Sequence, residues 1–291
     1  MKKPVFTGAC TALVTPFLGE NVNYPMLDRL IRRQLDAGIR AVVLCGTSGE
    51  SATLSDLEKL SIFQRARRCL GEKGILIAGT GSNSTEHAVS LSIHAQKCGA
   101  DALLVVSPYY NKATPEGLAA HYRTIADAVE IPVILYNVPS RTGVDIPVEV
   151  YRRLAAHPNI AGVKEASTDI TKILKIRAAC PKDFYVWCGN DDMAAAEMAL
   201  GSMGVISVVS NVAPELTSAM AEAALDGDFD TALALQVELL PLTQALFREV
   251  NPIPVKAAMG QIGYDCGVCR LPLTPPSHET VEALKKLLPA D

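Results

Sequence analysis

A primary amine follows an apolar run in the second half of the chain. Lys164 comes directly after residues 160–163, which read Ile-Ala-Gly-Val, and directly before Glu165. An amine at the edge of an apolar core is costly to charge, so a neutral and nucleophilic fraction is expected. Such an amine forms Schiff bases with carbonyl substrates. The alternative is a lysine that leaves a strand end for solvent, either paired with Glu165 or merely solvated.

Other reactive groups follow similar apolar runs. Residues 46–51 form a glycine-rich segment whose backbone amides are suited to binding a carboxylate or a phosphate. The side chains that could do chemistry are the hydroxyls of Thr47 and Ser48, the phenols of Tyr109, Tyr110 and Tyr136, and the guanidinium of Arg141.

Together these groups suit imine chemistry on a carboxylated ketone. The amine is the nucleophile, the phenols transfer protons, and the hydroxyls and guanidinium bind carboxylates. The 5 histidines lie outside these segments, which argues against a Ser-His-Asp hydrolase or a histidine-rich metal site. Taken singly, each group also has a structural interpretation: phenols pack at interfaces, hydroxyls form turns, and Arg141 could cap a helix.

The apolar runs alternate with longer amphipathic segments at regular spacing. Near-continuous apolar strands joined by helices indicate a parallel sheet with both faces covered. Eight such units fit a closed (β/α)8 TIM barrel better than an open doubly wound sheet, because no Gly-x-Gly-x-x-Gly follows the first strand. Functional groups of barrels collect at the C-terminal ends of the strands, where the groups above lie. The predicted strands are Gly8–Leu13, Ala41–Cys45, Ile75–Ala78, Ala102–Val106, Val133–Tyr136, Ile160–Lys164, Tyr185–Cys188 and Gly204–Ser207.

After about Val209 the alternation stops and the pattern becomes helical. Proline-rich segments punctuate this part of the chain, since proline cannot continue a helix. We predict an α/β fold with a (β/α)8 catalytic barrel over residues 1–225 and a small C-terminal all-helical domain over residues 226–291. The helices predicted here are Pro214–Asp226, Phe229–Val250, Pro254–Gly263 and His278–Leu288.

Composition favours a small-molecule enzyme of the cytoplasm. Hydrophobic residues make up 49% of the chain, and the net charge is −4 with both signs interspersed. No basic patch suggests nucleic acid, and neither a membrane-spanning run nor a secretory signal is evident. The 8 cysteines are expected to be free thiols. Cys266 and Cys269 have a spacing typical of metal or redox sites, but no second pair completes four ligands, so we expect no metal.

Several motifs carry a resemblance to a known family. They are residues 46–50, 107–111, 136–143, 162–166, 251–256 and 270–275. Over essentially its whole length, the chain resembles the pyruvate-dependent class I aldolases, the family that contains dihydrodipicolinate synthase and N-acetylneuraminate lyase. The lysine and glycine-rich motifs mark the superfamily, whereas residues 136–143, Tyr-Asn-Val-Pro-Ser-Arg-Thr-Gly, point to the synthase branch.

The resemblance implies a reaction. Lys164 would condense with the ketone of pyruvate, and the iminium would act as the electron sink that lets the methyl group lose a proton. The enamine would then attack L-aspartate 4-semialdehyde and lead to 4-hydroxy-tetrahydrodipicolinate, in lysine and diaminopimelate biosynthesis. No cofactor and no metal ion is implied, because the lysine imine supplies the electron sink.

The resemblance also assigns site residues. Tyr136, Thr47 and Tyr110 would form the proton relay, with Tyr110 reaching the site from a neighbouring subunit across a dimer interface. Arg141 would clamp the carboxylate of the semialdehyde, a task suited to a planar bidentate donor. A homotetramer built as a dimer of dimers is implied, with a functional dimer as the alternative.

The remaining assignments concern the pyruvate pocket. Its carboxylate would lie against Thr47 and Ser48, while the backbones of Gly189 and Ile206 would line the site. Many family members have a second threonine at the position of Ser48. The hydroxyl is preserved, so little catalytic change is expected.

A second departure concerns the site at which lysine inhibits some family members. Asp56, Lys59 and His87 stand where lysine-sensitive members tend to have two histidines and a glutamate. The missing acid at His87 removes a counter-charge for the ammonium of the ligand, and Lys59 adds repulsion. Weak or absent inhibition by lysine is therefore predicted. The positions that do match the lysine site are Ser51, Ala52, Asn83 and Tyr109.

Two other functions are compatible with this fold. One is another aldolase or lyase of the same family, acting on N-acetylneuraminate, a keto-deoxy sugar acid or 4-hydroxy-2-oxoglutarate. The other is a barrel that has lost catalysis and binds a ligand. Arg141 favours a short carboxylated aldehyde over a sugar, and the intact set of Lys164, Tyr136, Thr47 and Arg141 argues against a loss of catalysis.

Overall fold

Eight parallel strands close into a barrel in the computed structural model, which describes residues 1–288. The last strand pairs with the first, with Gly204 opposite Gly8 and Ile206 opposite Cys10. The predicted (β/α)8 TIM barrel is therefore confirmed. The barrel strands, first to eighth, are Gly8–Ala12, Ala41–Leu44, Ile75–Gly79, Ala102–Val106, Val133–Asn137, Ile160–Glu165, Tyr185–Cys188 and Gly204–Ser207.

The strands are buried on both faces because each lies between the barrel interior and a layer of helices. Ile77 and Trp187 belong to the cluster inside the barrel, whereas their neighbours Leu76 and Val186 belong to the cluster between strands and helices. Successive side chains of a strand point to opposite faces, so two buried faces require a continuous apolar run. This is why the strands could be recognised in the sequence.

Helices cover the outside of the barrel, and polar residues start several of them. The Ser55 hydroxyl accepts a hydrogen bond from the amide of Glu58, and the Glu58 carboxylate accepts one from the amide of Ser55, which forms a capping box. From the N-terminus to the helix that follows the eighth strand, the helices are α1 (Tyr24–Asp36), α2 (Asp56–Leu70), α3 (Thr85–Lys97), α4 (Pro115–Asp127), α5 (Pro139–Thr142), α6 (Val148–Leu154), α7 (Thr171–Ala179), α8 (Ala194–Ala199) and α9 (Pro214–Leu225).

Three helices complete the described chain: α10 (Phe229–Leu246), α11 (Ile253–Gln261) and α12 (His278–Lys285). The expected extension of α10 to Val250 is wrong, because the chain leaves the helix at Phe247 and turns before α11. The predicted domain boundary at 225/226 falls between α9 and α10, which pack against each other. The division into two domains stays a prediction, and its last residues, 289–291, lie outside the described part.

Some short elements were not predicted, because they span too few residues to show a period. They are the hairpin of Phe17–Leu18 with Asn21–Val22, the helix α5, and single 3₁₀ turns at Ser51–Thr53 and Val209–Asn211.

Membrane-spanning helices, disulfides and metal clusters are not found in the described part of the chain. Among the helices of residues 1–288, none is long and apolar enough to cross a membrane. All eight cysteines are free thiols. Within the same residues, no three histidine, cysteine, aspartate or glutamate side chains are grouped as they would be to hold a metal ion.

Candidate active site

The candidate nucleophile lies inside the mouth of the barrel. Lys164 is next to the last residue of the sixth strand, and Tyr136 is its partner in register on the fifth. Both side chains point inward, and Lys164 Nζ lies 4.4 Å from the centroid of the Tyr136 ring. Lys164 is only 5% exposed. The predicted placement of an amine at the edge of an apolar core is therefore what the fold produces.

Lys164 differs from the other buried lysines in its partners. Within the described residues 1–288, Lys59, Lys164, Lys172 and Lys256 are the buried lysines, and Lys164 alone makes no ion pair with a carboxylate. Since a buried charge is stabilised mainly by an opposite charge, the amine of Lys164 is the least compensated of the four. The ion pairs of the others are Lys59 with Asp56 at 3.5 Å, Lys172 with Glu165 at 3.7 Å, and Lys256 with Glu50 at 2.9 Å.

The alternative pairing of Lys164 with Glu165 does not occur. Adjacent residues of a strand point to opposite faces, and the Glu165 carboxylate lies behind the barrel wall. There it accepts hydrogen bonds from Asn137 and Tyr151. The amine therefore faces the cavity without a carboxylate from its own strand.

The glycine-rich turn, residues 46–51, brings two hydroxyls to the same mouth. Ser48 is buried and Thr47 is partly exposed. The turn is anchored from behind at Glu50, whose carboxylate accepts hydrogen bonds from Lys256 Nζ at 2.9 Å and from the backbone amide of Arg270 at 2.9 Å. The C-terminal segment thus holds the turn that carries Thr47 and Ser48.

Asn251 joins three parts of the site and was missed in the sequence. Its Nδ2 donates to Ser48 Oγ at 3.0 Å, and its backbone oxygen accepts from Arg141 Nη2 at 3.4 Å. Its Oδ1 is buried and has no hydrogen-bond partner among the described residues. The available signal was a polar residue before Pro252, at a break between helices near the chain end.

Most of the predicted site residues line one cavity of about 220 Å³. Beside it a larger cavity of about 550 Å³ shares Thr47, Tyr136, Arg141 and Asn251 and extends to His87. Both cavities lie at the C-terminal end of the barrel. The predicted residues that line the smaller cavity are Thr47, Ser48, Tyr136, Arg141, Lys164 and Gly189.

Gly189 is needed where it stands. A Cβ at this position would lie 2.6 Å from Ala166 Cβ and 3.0 Å from Lys164 Cε, closer than packed carbon atoms approach. Any side chain would therefore push against the stem of the lysine.

Two predicted residues do not line the smaller cavity. Tyr110 lies 91% exposed on the loop after the fourth strand, with a φ of 71° in the left-handed region. Ile206 is buried and packs in the inner cluster together with Tyr136. The structure thus brings six predicted residues together and leaves Tyr110 on the surface.

Two buried titratable side chains, Cys10 and Asp191, lie close enough to Lys164 to feel its charge. Burial raises the pKa of the Cys10 thiol, with the charge of Lys164 acting in the opposite direction. A protonated thiol is a poor nucleophile, so Cys10 does not compete with the amine. Burial also raises the pKa of Asp191, which accepts hydrogen bonds from the Ser207 hydroxyl and the amide of Val208.

The arrangement has a clear chemical capacity. A buried amine without a carboxylate partner faces a phenol, two hydroxyls and a guanidinium across a small cavity. Such a set can form an imine with a carbonyl compound, move protons near it and bind carboxylates.

Comparison with known proteins gives consistent matches. A sequence model of the dihydrodipicolinate synthetase family matches residues 5–291. The chain is 46% identical over 288 residues to 4-hydroxy-tetrahydrodipicolinate synthase of Acetivibrio thermocellus, with 99% of this chain and 98% of that protein covered. The structure of dihydrodipicolinate synthase from Aquifex aeolicus matches with a TM-score of 0.95 at 42% identity, covering 97% of each chain. The enzyme from Acinetobacter baumannii, solved in complex with pyruvate, matches with a TM-score of 0.95 at 41% identity, again covering 97% of each chain.

Proposed function

The chain belongs to the dihydrodipicolinate synthetase family, and we propose that it condenses pyruvate with L-aspartate 4-semialdehyde to give 4-hydroxy-tetrahydrodipicolinate. The observation that carries the proposal is the state of Lys164, a buried amine with no carboxylate partner in the described residues, held against Tyr136 in a cavity with carboxylate-binding groups. The reaction belongs to lysine and diaminopimelate biosynthesis, in the cytoplasm.

The first step forms a Schiff base. Lys164 Nζ attacks the keto carbon of pyruvate, a carbon–nitrogen bond forms, and the oxygen leaves as water. The iminium withdraws electrons, so the methyl carbon loses a proton and becomes the nucleophilic carbon of an enamine. Because the iminium formed on Lys164 is the electron sink, the step draws on neither a metal ion nor an organic cofactor.

Proton transfers belong to a relay of hydroxyls. The Tyr136 ring lies against the amine, and Thr47 lines the same cavity. Tyr110 completes the relay in the site of a neighbouring subunit, which accounts for its exposed position. This assignment requires at least a dimer, and we propose a homotetramer made of two such dimers.

The two substrates are held by their carboxylates. The pyruvate carboxylate lies against Thr47 and Ser48, where Asn251 fixes the Ser48 hydroxyl. Arg141, exposed at the edge of the opening, binds the carboxylate of the semialdehyde through its planar guanidinium. Gly189 leaves room for the imine, and the backbone of Ile206 closes the inner wall.

Carbon–carbon bond formation follows from this placement. The enamine carbon attacks the aldehyde carbon, and the aldehyde oxygen takes a proton from the relay. The amino group of the semialdehyde portion then displaces Lys164 from the imine carbon, which closes the ring and returns the free amine.

The test is pyruvate consumption followed by NMR, with L-aspartate 4-semialdehyde and with sugar aldehydes as separate acceptors. The proposal predicts rapid turnover with the semialdehyde alone. Turnover with a sugar aldehyde alone would move the protein to the lyase branch of the family. Absence of turnover with every acceptor would refute the proposed activity altogether.

A further inference from the structure

Two polar residues, Asn137 and Glu165, lie on the outer face of the strands that carry Tyr136 and Lys164. Tyr136 and Lys164 are called the reactive pair below. Tyr136 and Lys164 are in register and point inward, while the next residues, Asn137 and Glu165, are in register and point outward. Both outward side chains are buried. Asn137 Nδ2 donates to Glu165 Oε1 at 2.7 Å. One hydrogen bond therefore joins the two strands directly behind the reactive side chains.

The carboxylate of Glu165 is held by several donors. Its Oε1 also accepts from the amide of Ser167 at 2.9 Å, and its Oε2 accepts from Tyr151 OH at 3.2 Å. Lys172 Nζ lies 3.7 Å from Oε2. A buried carboxylate with this many partners is fixed in orientation. The sixth strand is thereby tied to α6 and α7 immediately behind Lys164.

Asn137 ties the fifth strand to the loop that carries Arg141. Its Nδ2 also donates to Asp145 Oδ1 at 2.8 Å, and its Oδ1 accepts from the amide of Ile146 at 2.9 Å. These two hydrogen bonds hold the two ends of the segment between Val138 and Asp145 together. Arg141, at the middle of this segment, is held at a defined distance from the strand end.

These bonds matter because the strand ladder itself is irregular. The register of the fifth and sixth strands shifts between Val133 and Ile134, at the far end of the pair. A register error of one residue turns every side chain to the opposite face, which would take Lys164 out of the cavity. The pairing of Asn137 with Glu165 lies past the shift and opposes such an error.

From this geometry we infer that Asn137 and Glu165 are positioning residues, which set Lys164 and Tyr136 relative to each other and fix the Arg141 loop. The inference rests on the proposed function, because it concerns the efficiency of the same imine. Neither residue touches the substrate. Replacement of either residue changes the rate by shifting Lys164. A displacement of about 1 Å can cost on the order of 100-fold in rate.

The test compares Glu165→Gln with a matched variant, Thr11→Val. Thr11 is a buried, outward-facing residue of the first strand whose hydroxyl donates to Gln34 of α1 at 2.7 Å, so its loss removes a similar bond away from the reactive pair. Two quantities are measured at a temperature where both variants are folded. They are kcat with KM for each substrate, and the rate at which borohydride traps the pyruvate imine.

For Glu165→Gln we expect about a 10- to 100-fold loss of kcat and of trapping rate, with a much smaller change in KM for pyruvate. Thr11→Val should keep both rates close to those of the unsubstituted protein. Equal losses in the two variants, or an unchanged trapping rate in Glu165→Gln, would overturn the inference.

Two further variants keep the test decisive if Glu165→Gln does not fold. Tyr151→Phe removes a single donor to Glu165 and should lower the trapping rate a few-fold; a rate equal to that of the unsubstituted protein would contradict the inference. Asn137→Asp places a third carboxylate against those of Asp145 and Glu165 and should raise KM for the semialdehyde as well, because the Arg141 loop loses its tie. If the unsubstituted protein forms the imine but does not accept the semialdehyde, the proposed function fails, while the trapping rates still decide the role of the pair.

Discussion

Two buried lysines both lie against an aromatic ring and differ in their polar partners. Lys164 Nζ lies 4.4 Å from the centroid of Tyr136, and Lys256 Nζ lies 4.3 Å from the centroid of Phe17. Lys256 has the Glu50 carboxylate at 2.9 Å, whereas Lys164 has no carboxylate partner within residues 1–288. Burial and an aromatic face are therefore common to both amines, and we propose that the missing counter-charge is what makes Lys164 the reactive one.

The difference follows from where each lysine lies. Lys256, on α11, closes the contact between the C-terminal helices and the glycine-rich turn, where the charged pair holds two segments together. Lys164 lies at the open end of the barrel and lines the cavity there. The fold directs the carboxylate of its neighbour Glu165 to the other side of the wall.

The largest effect is expected from the loss of the unpaired amine. Lys164→Ala should lower kcat by on the order of 10³-fold or more, because no other group can form the imine. The thermal midpoint of unfolding should change little or rise, since an uncompensated buried amine is removed. Steady-state rates and a melting curve check both parts. Turnover close to that of the unsubstituted protein would refute the imine mechanism.

Replacement of Lys256, the paired amine, should lower stability and leave imine formation intact, the opposite of the result for Lys164. Lys256→Met leaves Glu50 buried without its cation, so the free energy of unfolding should fall by about 3–5 kcal/mol. Trapping of the pyruvate imine should persist at temperatures where the variant is folded. Denaturant unfolding measures the loss. The double variant Glu50→Gln with Lys256→Met is the control, and it should be more stable than the single variant because no lone charge is left buried.

The proton relay can be separated from imine formation. Tyr110→Phe should lower kcat by on the order of 100-fold, while the imine with pyruvate still forms. The neighbouring phenol provides the control, because Tyr109→Phe changes a side chain outside the proposed relay. Borohydride trapping together with steady-state kinetics distinguishes the two variants. Equal kcat values in both would remove Tyr110 from the relay.

A buried acid without a cation is the counterpart of Lys164. Glu197, on α8, is buried, its Oε2 has no hydrogen-bond partner in the described residues, and burial raises its pKa from 4.5 to about 7. Between these values the folded state binds a proton that the unfolded state has released, so stability falls as pH rises from about 4.5 through 7.

Replacement of this acid tests the pH dependence. Glu197→Gln should remove a pH-dependent contribution on the order of 1–3 kcal/mol, so the variant gains stability relative to the unsubstituted protein as pH rises from about 4.5 through 7. Melting temperatures across this range measure the effect. Glu238→Gln, at an exposed site, is the control and should follow the unsubstituted protein. A constant difference between Glu197→Gln and the unsubstituted protein would contradict the assignment.

The smallest effect is expected from added lysine. Burial acts to raise the pKa of Asp56, but the hydrogen bond and charge of His87, with the charge of Lys59, lower it overall. The acid in this part of the larger cavity is therefore already paired, as Glu50 is by Lys256. L-Lysine at millimolar concentration should leave the steady-state rate nearly unchanged. Sub-millimolar inhibition would overturn this prediction, and His87→Glu should gain sensitivity.

The sequence predicted the parts of the molecule that depend on neighbours along the chain. Each barrel strand appeared as an apolar run because both of its faces are buried, and Lys164 was conspicuous because it closes one of these runs. The anchor of the glycine-rich turn was not predictable in this way. Lys256 reaches Glu50 from a position 206 residues later, and no local pattern encodes that contact.

The same distinction applies within the site. Thr47, Ser48, Tyr136 and Arg141 lie at or shortly after the C-terminal ends of strands, so the barrel topology brought them together as predicted. Asn251 comes from the segment between α10 and α11, and only the folded chain places it against Ser48.

The most direct measurement is the location of the covalent adduct. The protein is reduced with borohydride in the presence of pyruvate, digested, and analysed by peptide mass spectrometry. The account predicts one pyruvate adduct, on Lys164, with Lys256 unmodified although it is equally buried. An adduct on Lys256, or the absence of any adduct from protein that consumes pyruvate, would contradict the claim that the unpaired amine is the reactive one.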